Sequence, residues 1–161
     1  MNNQNPFSVA PGRVAEVTRG FCVEGILACL VSGSDTEGRT AIFEGVASPG
    51  AGPILHLHHS QNEWWYVLEG DFLFQVGDEK FNVQPGASIF GPRGVPHAFR
   101  CVGKQPGKML LAFDPAGQIE EFFVEIAKPG VEDDDQRDPE RHEILEYNPH
   151  RRKSQESRSV G

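Results

Sequence analysis

Three histidines and one glutamate stand at intervals that suit shared coordination of a cation: His56-Leu57-His58, then Glu63, then His97 further along. Imidazole nitrogen and carboxylate oxygen suit one divalent transition metal, whether iron, manganese, nickel, copper or zinc. Three neutral imidazoles and one carboxylate would leave that ion with a net charge of about +1, which favours anionic or enolisable oxygen ligands. Both segments are framed by glycine and proline. The first reads Gly50-x5-His56-x-His58-x4-Glu63-x6-Gly70, and the second Gly86-x5-Pro92-x-Gly94-x2-His97.

Strands are the elements that would bring these four together. Residues two apart on a strand share a face, so His56 and His58 look inward while Leu55 and Leu57 look out. Ser60-Gln61-Asn62 has the polar character of a hairpin connection, which returns the chain so that Glu63 opens the neighbouring strand. Two prolines in Gly91-Pro92-Arg93-Gly94-Val95-Pro96 restrict the backbone that enters the strand of His97. Strand-like runs are predicted at 25–31, 39–46, 54–58, 63–69, 71–77, 80–83, 88–90, 97–102 and 108–114, divided by Gly, Pro, Asn and Asp. Many short strands at near-regular intervals predict an all-β sandwich or barrel. Ile119, Phe122, Phe123 and Ile126 then follow helical spacing, which predicts an amphipathic helix over 117–128, stopped by Pro129-Gly130.

The same parity outlines a substrate pocket. Trp65 and Val67 share the face of Glu63, Phe99 and Cys101 that of His97, while Phe72, Phe74 and Val76 form one face and Met109, Leu111 and Phe113 another. Trp65, Phe72, Phe74, Phe99, Leu111 and Phe113 are the predicted pocket lining, an apolar and aromatic wall around one charged centre. His59 falls on the opposite face from His58, and His142 and His150 lie in polar surroundings; none of the three is assigned to the site.

Composition sets outer limits. A chain of 161 residues with 38% hydrophobic residues and eleven Phe is sized for one domain with a core. Its net charge of −8 argues against a nucleic-acid partner. Cys22, Cys29 and Cys101 are odd in number and form no C-x-x-C pair, which predicts a reducing compartment. The N-terminus lacks the pattern of a signal peptide, and the apolar run from Phe21 to Val31 is broken by Glu24 and Gly25. A cytoplasmic protein with no membrane partner is therefore expected. Residues 1–20 read as an arm with an extended piece near 14–18. Residues 129–161 read as an acidic link, a short helix that starts at Asp138-Pro139-Glu140 and runs to about Tyr147, and a disordered tail in which Arg151-Arg152-Lys153 is solvated.

Over residues 20–128, the two glycine-framed motifs resemble those of the cupin superfamily, in particular its small quercetin-dioxygenase-like members. Every ligand position is matched. Cys101 departs from the pattern, since the family usually has Asn there, but it is not a ligand position. The resemblance implies a single-domain, jelly-roll β-barrel over residues 21–128 with the C-terminal helix packed on it, and it implies His56, His58, Glu63 and His97 as metal ligands. It also implies a functional range that the fold alone does not narrow. The leading expectation is a metal-dependent dioxygenase acting on a small aromatic or enolic substrate, with Glu63 as the catalytic proton acceptor. The alternatives are a non-catalytic small-molecule or metal-binding module and a redox-neutral isomerase or lyase. Open sheet edges predict a homodimer.

Overall fold

A strand with one face on a core alternates buried and accessible positions, and that alternation organises this chain. The computed structural model describes residues 15–17, 25–127 and 144–146. In chain order the elements are β1 (Ala15–Val17), β2 (Gly25–Val31), β3 (Ala41–Ala47), β4 (His56–His58), β5 (Asn62–Glu69), β6 (Phe72–Val76), β7 (Glu79–Val83), β8 (Ser88–Gly91), β9 (His97–Cys101), β10 (Gly107–Asp114), α1 (Ile119–Ile126) and β11 (Ile144–Glu146). Among the described residues the fold is all-β apart from α1 and one short 3-10 turn at Ser34–Thr36. Along β5, Glu63, Trp65 and Val67 are buried and their neighbours half-buried; β10 repeats the pattern with Met109, Leu111 and Phe113.

The strands form two antiparallel sheets, ordered β1-β2-β3-β10-β5-β8 and β11-β4-β9-β6-β7. Their inward faces meet in one core containing Phe43, Trp65, Phe72, Phe74, Phe99, Met109 and Phe113. Register places this core in layers. Phe113 lies opposite Glu63 and Leu111 opposite Trp65, and in the facing sheet His97 pairs Val76, Phe99 pairs Phe74 and Cys101 pairs Phe72. The one irregularity between β10 and β5 falls between Lys108 and Met109, so the parity of Met109, Leu111 and Phe113 survives. Helix α1 buries Ile119, Phe122, Phe123 and Ile126, as its spacing predicts. Phe123 packs edge-on against both Phe43 and Phe113, with ring centroids 5.1 and 5.9 Å away.

One departure concerns the flanks. The segment expected to be helical up to Tyr147 instead contains a strand, β11, paired antiparallel with β4 from Ile144 opposite His58 to Glu146 opposite His56. The physical reason is the edge of β4. This three-residue strand has one register pair with β9, His56 with His97, and its other edge exposes backbone donors and acceptors that a local helix would leave unmet. Asp138-Pro139-Glu140, the acidic link and the C-terminal tail lie outside the described residues, as do Cys22, His142 and His150. At the other end, the extended piece of the arm is β1, which joins the first sheet beside β2. Cys101 is fully buried, and its strand end is tied by backbone bonds to Ala51 and Gly50. Cys101 is a free thiol. No helix among the described residues is long and apolar enough to cross a membrane.

Candidate metal centre

Antiparallel pairing of β4 and β9 sets His56 directly opposite His97, and strand parity adds His58 to the same face. Glu63 arrives from the other sheet, flanked in register by Phe113 and Gly91. The turn before β9 is fastened to the first motif where the Gly94 N–H donates to the His58 carbonyl at 2.7 Å. The four side chains thus converge: one ligand atom from each of His56, His58, Glu63 and His97 lies within 4.8 Å of all the others. All four are buried. The sequence-predicted ligand set is therefore brought together in full.

The tautomers of the three rings follow from their partners. His56 Nδ1 lies 2.8 Å from the Ile54 carbonyl and His97 Nδ1 lies 2.9 Å from the Val95 carbonyl. Carbonyl oxygens only accept, so both Nδ1 atoms donate and Nε2 is the nitrogen of each ring turned toward the centre. His58 Nδ1 donates to Gln61 Oε1 at 3.2 Å. All three rings accordingly aim Nε2 inward. His97 Nε2 and His58 Nε2 then stand 3.1 and 3.2 Å from the same oxygen, Glu63 Oε2, and His58 Nε2 has no hydrogen-bond partner there among the described residues. Imidazole nitrogens this close to one carboxylate oxygen need either a proton or a metal cation among them. This donor set, with outer hydrogen bonds already fixing ring orientation, fits a divalent transition metal.

Electrostatics in the metal-free centre point the same way. Burial, joined by the like charge of His97 and His58, lowers the His56 pKa from 6.5 to about 3. For Glu63, burial pushes the pKa up, but the imidazole nitrogens of His58 and His97 beside it outweigh burial and bring it from 4.5 to about 2. Near neutral pH, His56 is thus an uncharged imidazole and Glu63 a carboxylate, the forms that coordinate metals.

The predicted pocket residues divide into two groups. Trp65 and Phe113 touch the centre, with ring centroids 5.2 Å from His97 and 5.6 Å from His58. Phe74 supports Trp65 from behind at 5.3 Å. Phe72 and Phe99 pack on each other and on Phe74, in the core beside the centre. Leu111 is buried in the layer of Trp65. Gly91 is required by close approach, since a Cβ there would stand 2.9 Å from the outer edge of the Trp65 ring. The two adjacent tryptophans differ. Trp64 Nε1 donates to Ser88 Oγ at 2.7 Å, whereas the buried Trp65 Nε1 has no partner among the described residues. His59, Arg93 and Arg100 are exposed. A separate groove of about 730 Å³ lies beside α1, lined by Gly33, Glu37, Gly117, Glu121 and Val124, and includes none of the predicted pocket residues.

Gln61 is the residue that sequence reasoning missed. Placed in a polar connection, it reads as solvated, yet it is 2% exposed and holds His58. Its position three residues after a ligand histidine, beside a turn, was the available signal.

Comparison with known proteins agrees with the geometry. The cupin domain family model matches residues 44–113, which run from within β3 through both motifs to the end of β10, so this segment is similar to cupin domains. It is 32% identical over 77 residues to an uncharacterized protein of Methanocaldococcus jannaschii, covering 48% of this chain and 62% of that one. It is 28% identical over 102 residues to a protein of Streptomyces cyaneus named polyketide synthase CurC, covering 62% of this chain and 66% of that one. The chain thus spans less than two thirds of either relative. Among solved structures, an RmlC-like cupin from Shewanella frigidimarina shares the fold with a TM-score of 0.59 at 21% identity, over 74% of this chain and 99% of that one.

Proposed function

We propose that this chain is a metal-dependent oxidoreductase of the dioxygenase type, acting on a small aromatic or enolic substrate. One observation carries the reading: three imidazoles with their Nδ1 protons committed outward aim Nε2 at a buried carboxylate, beside an aromatic wall with an unmatched indole N–H. His56, His58, Glu63 and His97 would hold the ion. A divalent transition metal bound there would favour the ionised form of a substrate hydroxyl and, if redox-active, support oxygen chemistry. Glu63, a carboxylate at neutral pH, is placed to accept the proton that such a hydroxyl gives up. Trp65 and Phe113 form an apolar wall that suits an aromatic or enolic ring and keeps water away. The buried Trp65 indole N–H, without a partner among the described residues, is the donor assigned in this reading to a substrate oxygen. The name of the Streptomyces relative supports this substrate class, since polyketide chains are enolisable polycarbonyl compounds.

The test is direct. Protein freed of metal and reloaded separately with iron, manganese, nickel and copper is given flavonols, catechols and β-diketones while dissolved oxygen is followed. Oxygen uptake that depends on both metal and substrate is expected for at least one pairing, with loss in His97→Ala. Stoichiometric metal binding with no uptake in any pairing would overturn the oxidoreductase reading.

A further inference from the structure

The three histidines are not held alike. His56 and His97 each donate Nδ1–H to a carbonyl two residues earlier in their own segment, Ile54 and Val95. These anchors are local and form with the strand itself. His58 instead donates to the side chain of Gln61, and the Gln61 amide is oriented by a distant part of the chain. Its Nε2 donates to the Pro115 carbonyl at 3.2 Å and to the Ala116 carbonyl at 2.5 Å. Those carbonyls belong to the segment between β10 and α1.

Carbonyl oxygens fix the direction of the amide. A flipped Gln61 would press Oε1 against two acceptors and waste both N–H donors in a buried site, so Nε2 stays with residues 115 and 116 and Oε1 faces His58. Only a protonated Nδ1 can meet Oε1, which leaves His58 Nε2 open. Were the two carbonyls withdrawn, the amide could turn its NH2 toward His58. The ring proton would then move to Nε2 and block the ligand atom. Gly117 confirms how closely the segment is fitted to the amide: at φ +54°, a Cβ there would stand 2.9 Å from Gln61 Nε2. The same segment leads straight into α1, whose Phe123 packs on Phe113, and Phe113 packs on the His58 ring. The Ala116 N–H is itself anchored to the Gly38 carbonyl.

We propose that Gln61 is a positioning residue that keeps His58 in its ligating tautomer and thereby makes metal affinity depend on the seating of the segment that leads into α1. The inference rests on the metal reading above and adds to it a coupling between helix docking and the coordinating nitrogen of His58. Metal binding and helix docking then strengthen each other, because linkage between two equilibria is reciprocal.

The test uses the full chain, cobalt(II) as the probe, and three variants. Gln61→Met keeps length but neither accepts from His58 nor donates to the carbonyls. It is expected to weaken cobalt affinity about 10- to 100-fold, the usual effect of losing an outer hydrogen bond to a metal ligand. Gln61→Glu restores an acceptor for Nδ1–H while losing donation to residues 115 and 116. It should return cobalt affinity to within about threefold of the parent, yet melt at lower temperature. Long-range proton–nitrogen spectra of the metal-free proteins, with His58 assigned through His58→Gln, should show one Nδ1–H form in the parent and a mixture in Gln61→Met. Should Gln61→Met not fold, Gly117→Ala takes its place and should produce the same mixture. Parent-like cobalt affinity in Gln61→Met, or equally weak binding in Gln61→Glu, would reduce Gln61 to loop packing and overturn the proposal. If the parent binds no cobalt, the metal reading fails, and the tautomer spectra still decide the role of Gln61.

Discussion

The interior of the barrel has two ends built from the same strands. On β5, Glu63 is at one end and Val67 at the other; on β9, His97 gives way to Phe99 and Cys101; on β6, Val76 gives way to Phe74 and Phe72. One end carries the four-residue centre, whose outer hydrogen bonds are made and whose inner His58 Nε2 has no hydrogen-bond partner among the described residues. The other is an aromatic plug of Phe72, Phe74 and Phe99 with ring centroids 5.4 to 6.2 Å apart. Trp65 joins them, touching His97 on one side and Phe74 on the other. The division separates function from stability within a single layer of side chains. Buried polar groups with incomplete partners cost stability, and a close-packed apolar block beside them can offset that cost.

Removing a ligand should produce the largest effect and confine it to one end. His97→Ala is expected to lower metal affinity at least about 1000-fold, near 4 kcal/mol, while the metal-free protein keeps most of its stability. Calorimetric titration and paired melting curves with and without metal would check this. A comparable fall in metal-free stability would mean that the two ends are one structural unit.

Phe74→Ala is the complementary change. Opening a cavity in the plug should cost about 3 to 5 kcal/mol, read from urea unfolding of the metal-free protein. Metal affinity per folded molecule should stay within a few fold of the parent, since all four ligands remain. Loss of metal binding in the folded variant would show that the plug sets ligand geometry.

Acidity should separate the ends without mutation. The folded pKa of His56 is about 3 against 6.5 for the unfolded chain, and that of Glu63 is about 2 against 4.5. In both cases the unfolded state binds the extra proton, so stability is complete above pH 6.5 and is lost as pH falls. His56 acts between pH 6.5 and 3 and Glu63 between 4.5 and 2. Between pH 6.5 and 5, His56 alone should remove about 2 kcal/mol from the metal-free protein. His56→Gln should flatten that slope in urea titrations, whereas Phe74→Ala should leave it unchanged. An unaltered slope in His56→Gln would place the acid sensitivity elsewhere.

How much of this was legible in the sequence follows from the range of the forces involved. The ligands were legible because strand parity is a local rule: a period of two fixes that His56 accompanies His58 and that Glu63 accompanies Trp65. Helix α1 was legible for the same reason, with Phe122 and Phe123 on one stripe. Parity says which face a residue takes but not how deep it lies. Trp65 and Phe99 therefore looked equivalent, although one touches His97 and the other fills the plug. Gln61 and β11 were hidden because their partners are remote. The carbonyls of Pro115 and Ala116 decide that Gln61 is buried, and the open edge of β4 decides that 144–146 is a strand. Local signals, a polar hairpin and a helix start at Asp138-Pro139, pointed elsewhere in each case.

The smallest predicted effect probes the residue between the two ends. Trp65→Phe keeps an aromatic ring against His97 and Phe74 but removes the one buried indole N–H without a partner. Deleting an unsatisfied buried donor removes a desolvation cost, so metal-free stability should not fall by the full amount of a lost aromatic contact. Metal affinity should be unchanged, because no ligand is touched. Binding of a probe oxyanion such as acetylacetonate to the cobalt-loaded protein should weaken about tenfold, near 1.4 kcal/mol, the worth of one hydrogen bond to a charged oxygen. The cobalt absorption band reports both binding events in one titration. Unchanged acetylacetonate affinity would assign Trp65 wholly to the plug, and the boundary between the reactive and the structural end would then run between Trp65 and the ring of His97.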